Sequence, residues 1–154
     1  MNYSKGVIAI PNVTGDVVIT VTTESIQLVN LFDENTASYN YRIRNVGALA
    51  SPSIGRVVTA PIDIKDISTL TVQGITEVVC NDNHYALIAL YSSAAGNDTD
   101  FIMRQSYMSP TYTFDIAALK AANPTATHLR LELVLTYPSD VTKTDTANLA
   151  IYGS

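Results

Sequence analysis

The chain has 154 residues, 47% of them hydrophobic and 15% charged, with a net charge of −5, nine Tyr, no Trp and one Cys. A length near 150 suits one domain with an adequate core, and a Thr-rich, weakly charged composition suits β-structure. The lone Cys80 excludes an intrachain disulfide scaffold, the apolar content excludes a low-complexity disordered chain, and the few cations, dispersed from Lys5 to Lys143, make no basic stripe for nucleic acid.

Residues 6–10 and 17–22 are β-branched runs flanking a turn of Pro, Asn, Gly and Asp at 11–16, which predicts a hairpin over residues 1–23. A two-stranded ribbon is marginal alone in water. It must therefore pack on the rest of the chain, on a preceding domain or on copies of itself.

Residues 24–154 predict a β-sandwich. The segment opens at 28–33, passes a polar stretch at 34–40 and reaches a short strand at 41–44. Alternation there sends Tyr41 and Ile43 to one face and Arg42 and Arg44 to the other. Further strands are predicted at 55–60, 70–75, 84–91, 101–107, 112–116, 128–136 and 147–152, at spacings that indicate a sandwich or barrel. Residues 85–91 are apolar on both faces, as a central covered strand would be. In the 128–136 strand Leu129, Leu131, Leu133 and Leu135 point inward, while His128, Arg130, Glu132 and Thr136 are expected on a solvent-facing row. One short helix is predicted at 116–122, capped by Asp115 and ended by Asn123-Pro124. The fold class is thus all-β and antiparallel.

No apolar run approaches the roughly 20 residues of a spanning helix, so membrane insertion is not expected. The first residues lack the pattern of a secretory signal, which points to synthesis in a cytoplasm or to a piece of a longer protein.

No nucleophile elbow, phosphate loop or paired metal-ligand spacing occurs. Two carboxylates from anywhere in the chain could hydrolyse a glycoside, and Asp82, Asp98, Asp100 and Asp115 are the candidates; turn formation and capping explain them more simply. Asn97, Asp98 and Asp100 offer hard oxygens for calcium but lack a full loop pattern. No cofactor, metal or catalytic residue is therefore expected. A sugar site combines an aromatic platform with hydrogen-bonding side chains, and Tyr39, Tyr41, Arg42, Arg44, Arg104, Tyr107 and Tyr112 supply those types. Burying about 40 Å² of sugar on a Tyr face is worth about 1 kcal/mol. Useful attachment would then need several linked copies, which add about 10² to 10⁴ in avidity.

Two segments carry a family resemblance. Lys5-Gly6-Val7-Ile8-Ala9-Ile10-Pro11-Asn12-Val13-Thr14-Gly15-Asp16-Val17-Val18-Ile19-Thr20 resembles a hairpin that recurs in tail, baseplate and fibre-associated proteins of phages and prophages. Asn30-Leu31-Phe32-Asp33 resembles the opening of β-sandwich modules in the same proteins, which continue with a strand like 88–93 and finish with one like 128–133. After Asp33 the usual Asp-Gly turn is replaced by Ser38-Tyr39-Asn40-Tyr41. The resemblance implies a jelly-roll-like sandwich in the virion tail, acting outside the cell as a homotrimer beside other tail proteins and engaging host cell-surface glycan. The alternatives are a structural or trimerisation module, or a carbohydrate-binding module of a bacterial surface or secreted protein.

Overall fold

The computed structural model describes residues 2–4, 7–9, 14–15, 28–75 and 84–154. Strands β1 (Asn2–Ser4) and β2 (Val7–Ala9) pair antiparallel. The strand expected at 17–22 lies outside the described residues, as do Cys80 and Asp82. The sandwich is built from β3 (Ser38–Tyr39), β4 (Arg42–Ile43), β5 (Leu49–Ala50), β6 (Arg56–Val58), β7 (Ile62–Asp63), β8 (Thr69–Gln73), β9 (Ala86–Tyr91), β10 (Phe101–Tyr107), β11 (Thr113–Asp115), helix α1 (Ile116–Ala122), β12 (His128–Val134) and β13 (Ala150–Gly153). Among the described residues no helix is long and apolar enough to cross a membrane.

The larger sheet runs β10-β9-β12-β6-β3, with β7 also pairing β12, and the smaller runs β11-β8-β13. Every pairing is antiparallel. Alternation along the larger sheet turns Val57, Ile88, Leu90, Leu129, Leu131 and Leu133 inward, where they meet Leu70, Val72, Phe114 and Ile151 of the smaller one in a single core. Full burial of each such aliphatic side chain is worth about 1.5–3 kcal/mol. The chain is thus an all-β antiparallel sandwich with one short helix.

That helix begins where Asp115 Oδ1 accepts a hydrogen bond from Ala118 N at 2.8 Å and ends at Asn123, as its sequence predicts. Ile116 and Leu119 turn into the core, and Lys120 Nζ donates to the carbonyls of Ile64 and Lys65. Residues 28–33 form no strand but a strap along β13. Leu31 N donates to Ile151 O at 2.7 Å, Asn30 Oδ1 accepts from Ile151 N at 2.8 Å, and Phe32 enters the core.

β9 is buried at all six positions, because both faces of the larger sheet are covered. The inner face meets the main core. On the outer face Val58, Leu87, Ala89 and Tyr91 form a second small core with Ile43, against which Leu49 and Phe101 pack. This second core overturns one expectation. Of the row His128, Arg130, Glu132 and Thr136, Glu132 does not face solvent but is 0% exposed beneath the β4–β5 hairpin, while the other three stay partly exposed.

Candidate functional site

The outer face of the larger sheet is where functional side chains gather, and strand register explains which ones. Ser106 pairs Leu87, Leu87 pairs Glu132, and Glu132 pairs Val58, so these four cross the sheet in one row. The adjacent row contains Arg104, Ala89 and Arg130. Arg56, two residues before Val58 on the same face, extends the first row's neighbourhood toward His84.

Over this face lies the β4–β5 hairpin, in which Arg42 pairs Ala50 and Ile43 pairs Leu49. Ile43 points down and is 1% exposed, while Arg42 and Arg44 stand outward. A hairpin lying across a sheet cannot extend that sheet's ladder, so its backbone groups need other partners. Side chains supply them. Glu132 Oε2 accepts from Ile43 N at 2.7 Å, and Arg104 Nη1 donates to Ile43 O at 3.0 Å. At the tip, Tyr91 Oη donates to Gly47 O at 2.7 Å, and burial pushes the Tyr91 phenol up to about 12. Gly47 has a φ of +77°, and a Cβ there would overlap the Phe101 ring. Phe101 in turn meets Tyr91 edge-on, at 6.1 Å between ring centroids.

Between hairpin and sheet opens a cleft of about 430 Å³, lined by Arg42, Ile43, Arg44, Asn45, Val46, Arg56, His84, Leu87, Arg104, Ser106 and Glu132. That volume lies within the roughly 300–1,000 Å³ of small-molecule sites. Among the described residues Glu132 is the only carboxylate on its wall, and it is occupied. Besides Ile43 N, its Oε1 lies 2.8 Å from His84 Nε2 and 3.3 Å from Arg56 Nε. The Arg56 contact is an ion pair without hydrogen-bond alignment, so the buried Nε–H has no acceptor in line with it. Arg56 Nη1 donates to Ser53 Oγ. The Arg42 and Arg44 guanidinium groups make no ion pair or hydrogen bond among the described residues.

Three of the residues expected from the sequence therefore meet here: Arg42, Arg44 and Arg104. The four tyrosines do not line the cleft. Tyr39 packs against the main core and its hydroxyl hydrogen-bonds Thr146 Oγ1 at 2.9 Å. Tyr107 meets Phe114 edge-on at 4.8 Å between ring centroids, and burial raises its phenol. Tyr41 and Tyr112 are exposed away from it. Arg56, His84, Ser106 and Glu132 are lining residues that sequence reasoning left out. One signal could have found Glu132: a neighbour of the doubly covered 85–91 strand must share its cover.

Two of the acidic candidates, Asp100 and Asp115, are engaged in local structure. Asp115 caps α1, and Asp100 Oδ2 accepts from Ser93 Oγ at 2.7 Å. Asn97 Oδ1 accepts from Thr99 N, Thr99 Oγ1 and Asp100 N, which closes the turn on itself. Among the described residues, no three His, Cys, Asp or Glu side chains group to hold a metal ion. A second hollow of about 380 Å³, lined by Asp63, Lys65, Lys120 and His128 among others, carries charge of both signs.

The arrangement offers directed N–H donors around an open cleft, which is chemistry for holding a polar ligand. The chain matches no protein-family model, no curated protein and no solved structure.

Proposed function

We propose that this chain is a non-catalytic module of a phage tail fibre or baseplate that attaches the virion to carbohydrate on the host cell surface. The observation that supports it is the convergence of Arg42, Arg44 and Arg104 on an open cleft of about 430 Å³. Guanidinium groups bind sugar oxygens through several N–H donors in fixed directions, and the exposed Val46 gives the apolar C–H face of a sugar a surface to cover. A single such cleft binds weakly, so the reading includes a homotrimer that presents several copies at once. The resemblance of residues 5–20 and 30–33 to phage tail modules supplies the setting, including the other tail proteins as partners.

A glycan array and a host-cell binding assay with the assembled protein test this reading. Binding to a defined set of glycans is expected, with loss on host cells stripped of those glycans. Absence of binding in both assays would leave a structural role in the tail. Light scattering tests the trimer, and a monomer at micromolar concentration would remove the multivalent part of the proposal.

A further inference from the structure

Four of the chain's five arginines line one cleft: Arg42, Arg44, Arg56 and Arg104. In a protein of net charge −5 with fourteen Asp and Glu, a random surface would place acids among them. Among the described residues only Glu132 is there, and its carboxylate is spent on Ile43 N, His84 and Arg56. Gathering like charges opposes folding unless something else is gained. Arg42 and Arg44 stand exposed at the rim without an acidic partner among the described residues. Arg104 is anchored by one Nη1 bond to Ile43 O, which fixes the group and leaves its other N–H donors. At the floor, the buried Arg56 Nε–H lacks an aligned acceptor. Donors in excess of the acceptors among the described residues, convergent and partly preorganised, describe a receptor for an oxyanion.

We propose that this cleft binds an anionic group, a carboxylate or a phosphate carried on the sugar, so that the glycan recognised is an acidic one. The inference rests on the glycan-binding reading and specifies its ligand. Guanidinium forks match both oxyanions through paired N–H···O bonds. The rim arginines capture and steer the charge, and Arg104 fixes its orientation.

The test titrates the assembled protein with matched probes: methyl glucuronide against methyl glucoside, glycerol phosphate against glycerol, and inorganic phosphate alone. The charged member of at least one pair should bind about tenfold or more tightly than its neutral partner, and raising NaCl from about 0.05 M to about 0.5 M should weaken it several-fold. Which pair responds tells a carboxylate from a phosphate. The double variant Arg42→Gln/Arg44→Gln should lose about tenfold in affinity for the charged probe, with an unfolding midpoint no lower than the parent's because neither side chain has a partner to lose among the described residues. Lys65→Gln/Lys143→Gln removes the same charge elsewhere and should change affinity less than about twofold.

Equal binding of charged and neutral partners, or equal losses in the two double variants, would overturn the anion site. If the array shows only neutral glycans bound, the anion site fails and the glycan reading stands. If inorganic phosphate binds in an Arg42/Arg44-dependent manner while no glycan or host cell is bound, the anion site stands and the glycan reading fails.

Discussion

Removing the Glu132 carboxylate should undo the hairpin that roofs the cleft. In Glu132→Ala, Ile43 N loses its acceptor at 2.7 Å, His84 loses its hydrogen-bond partner at 2.8 Å, and Arg56 loses its counter-charge at 3.3 Å. An unsatisfied buried N–H costs about 1–3 kcal/mol, and breaking a buried ion pair costs about 3–5 kcal/mol. The His84 and Arg56 side chains are each 11% exposed, so water drawn into the cleft recovers part of their solvation. We therefore expect about 3 kcal/mol, which in a domain of this size lowers the Tm by about 6–12 °C. Glu132→Gln keeps an acceptor for Ile43 N and should cost about half as much. With no Trp in the chain, equilibrium urea unfolding is followed by far-UV circular dichroism and Tyr fluorescence. If the penalty comes from Arg56 stranded without its counter-charge, adding Arg56→Met to Glu132→Ala should recover about 1 kcal/mol or more in a double-mutant cycle. A Glu132→Ala protein within about 0.5 kcal/mol of the parent would refute the reasoning, because a buried acceptor of three groups cannot vanish without cost. Equal effects of Ala and Gln would refute the part assigned to Ile43 N.

Three further outcomes are expected. Tyr91→Phe loses the bond to Gly47 O and about 1 kcal/mol at neutral pH. Because the folded phenol lies at about 12 against 10.0 in the unfolded chain, its contribution is fully present below pH 10 and is lost as pH rises toward 12. The parent should therefore lose about 2–3 kcal/mol more than Tyr91→Phe over that window, and parallel stability curves would count against it. Gly47→Ala meets both a φ of +77° and the Phe101 ring, so a loss of about 2 kcal/mol or more is expected, with only the steric share recovered by Phe101→Ala. Asp115→Ala removes the cap on Ala118 N and should cost about 1 kcal/mol by thermal unfolding, without changing ligand affinity because α1 lies outside the cleft.

Much of the fold was legible because its causes are local. Alternation in 128–136, the doubly apolar run at 85–91 and the cap and stop around 116–122 each reflect one element's own pattern, and each is found where expected. β3, β5 and β7 were not legible, since their residues lie in no alternating run of their own and pair only through the strand beside them. The cleft was half legible for a related reason. Alternation at 41–44 put Arg42 and Arg44 together on the outward side, and residue chemistry picked out Arg104. Nothing local distinguishes a Tyr that packs, such as Tyr39 or Tyr107, from one that binds.

The sequence alone determined that this chain is antiparallel β with one capped helix, and that its few cations are not a stripe along the chain. Only the tertiary structure decided that Arg56 and Arg104 join Arg42 and Arg44 in one cleft, and that Glu132 lies buried beneath them. The reason is register: Ser106, Leu87, Glu132 and Val58 come into one row through pairings between strands far apart in the chain. Whether that row faces water is then set by the β4–β5 hairpin folded across it, a contact that no single strand's pattern contains.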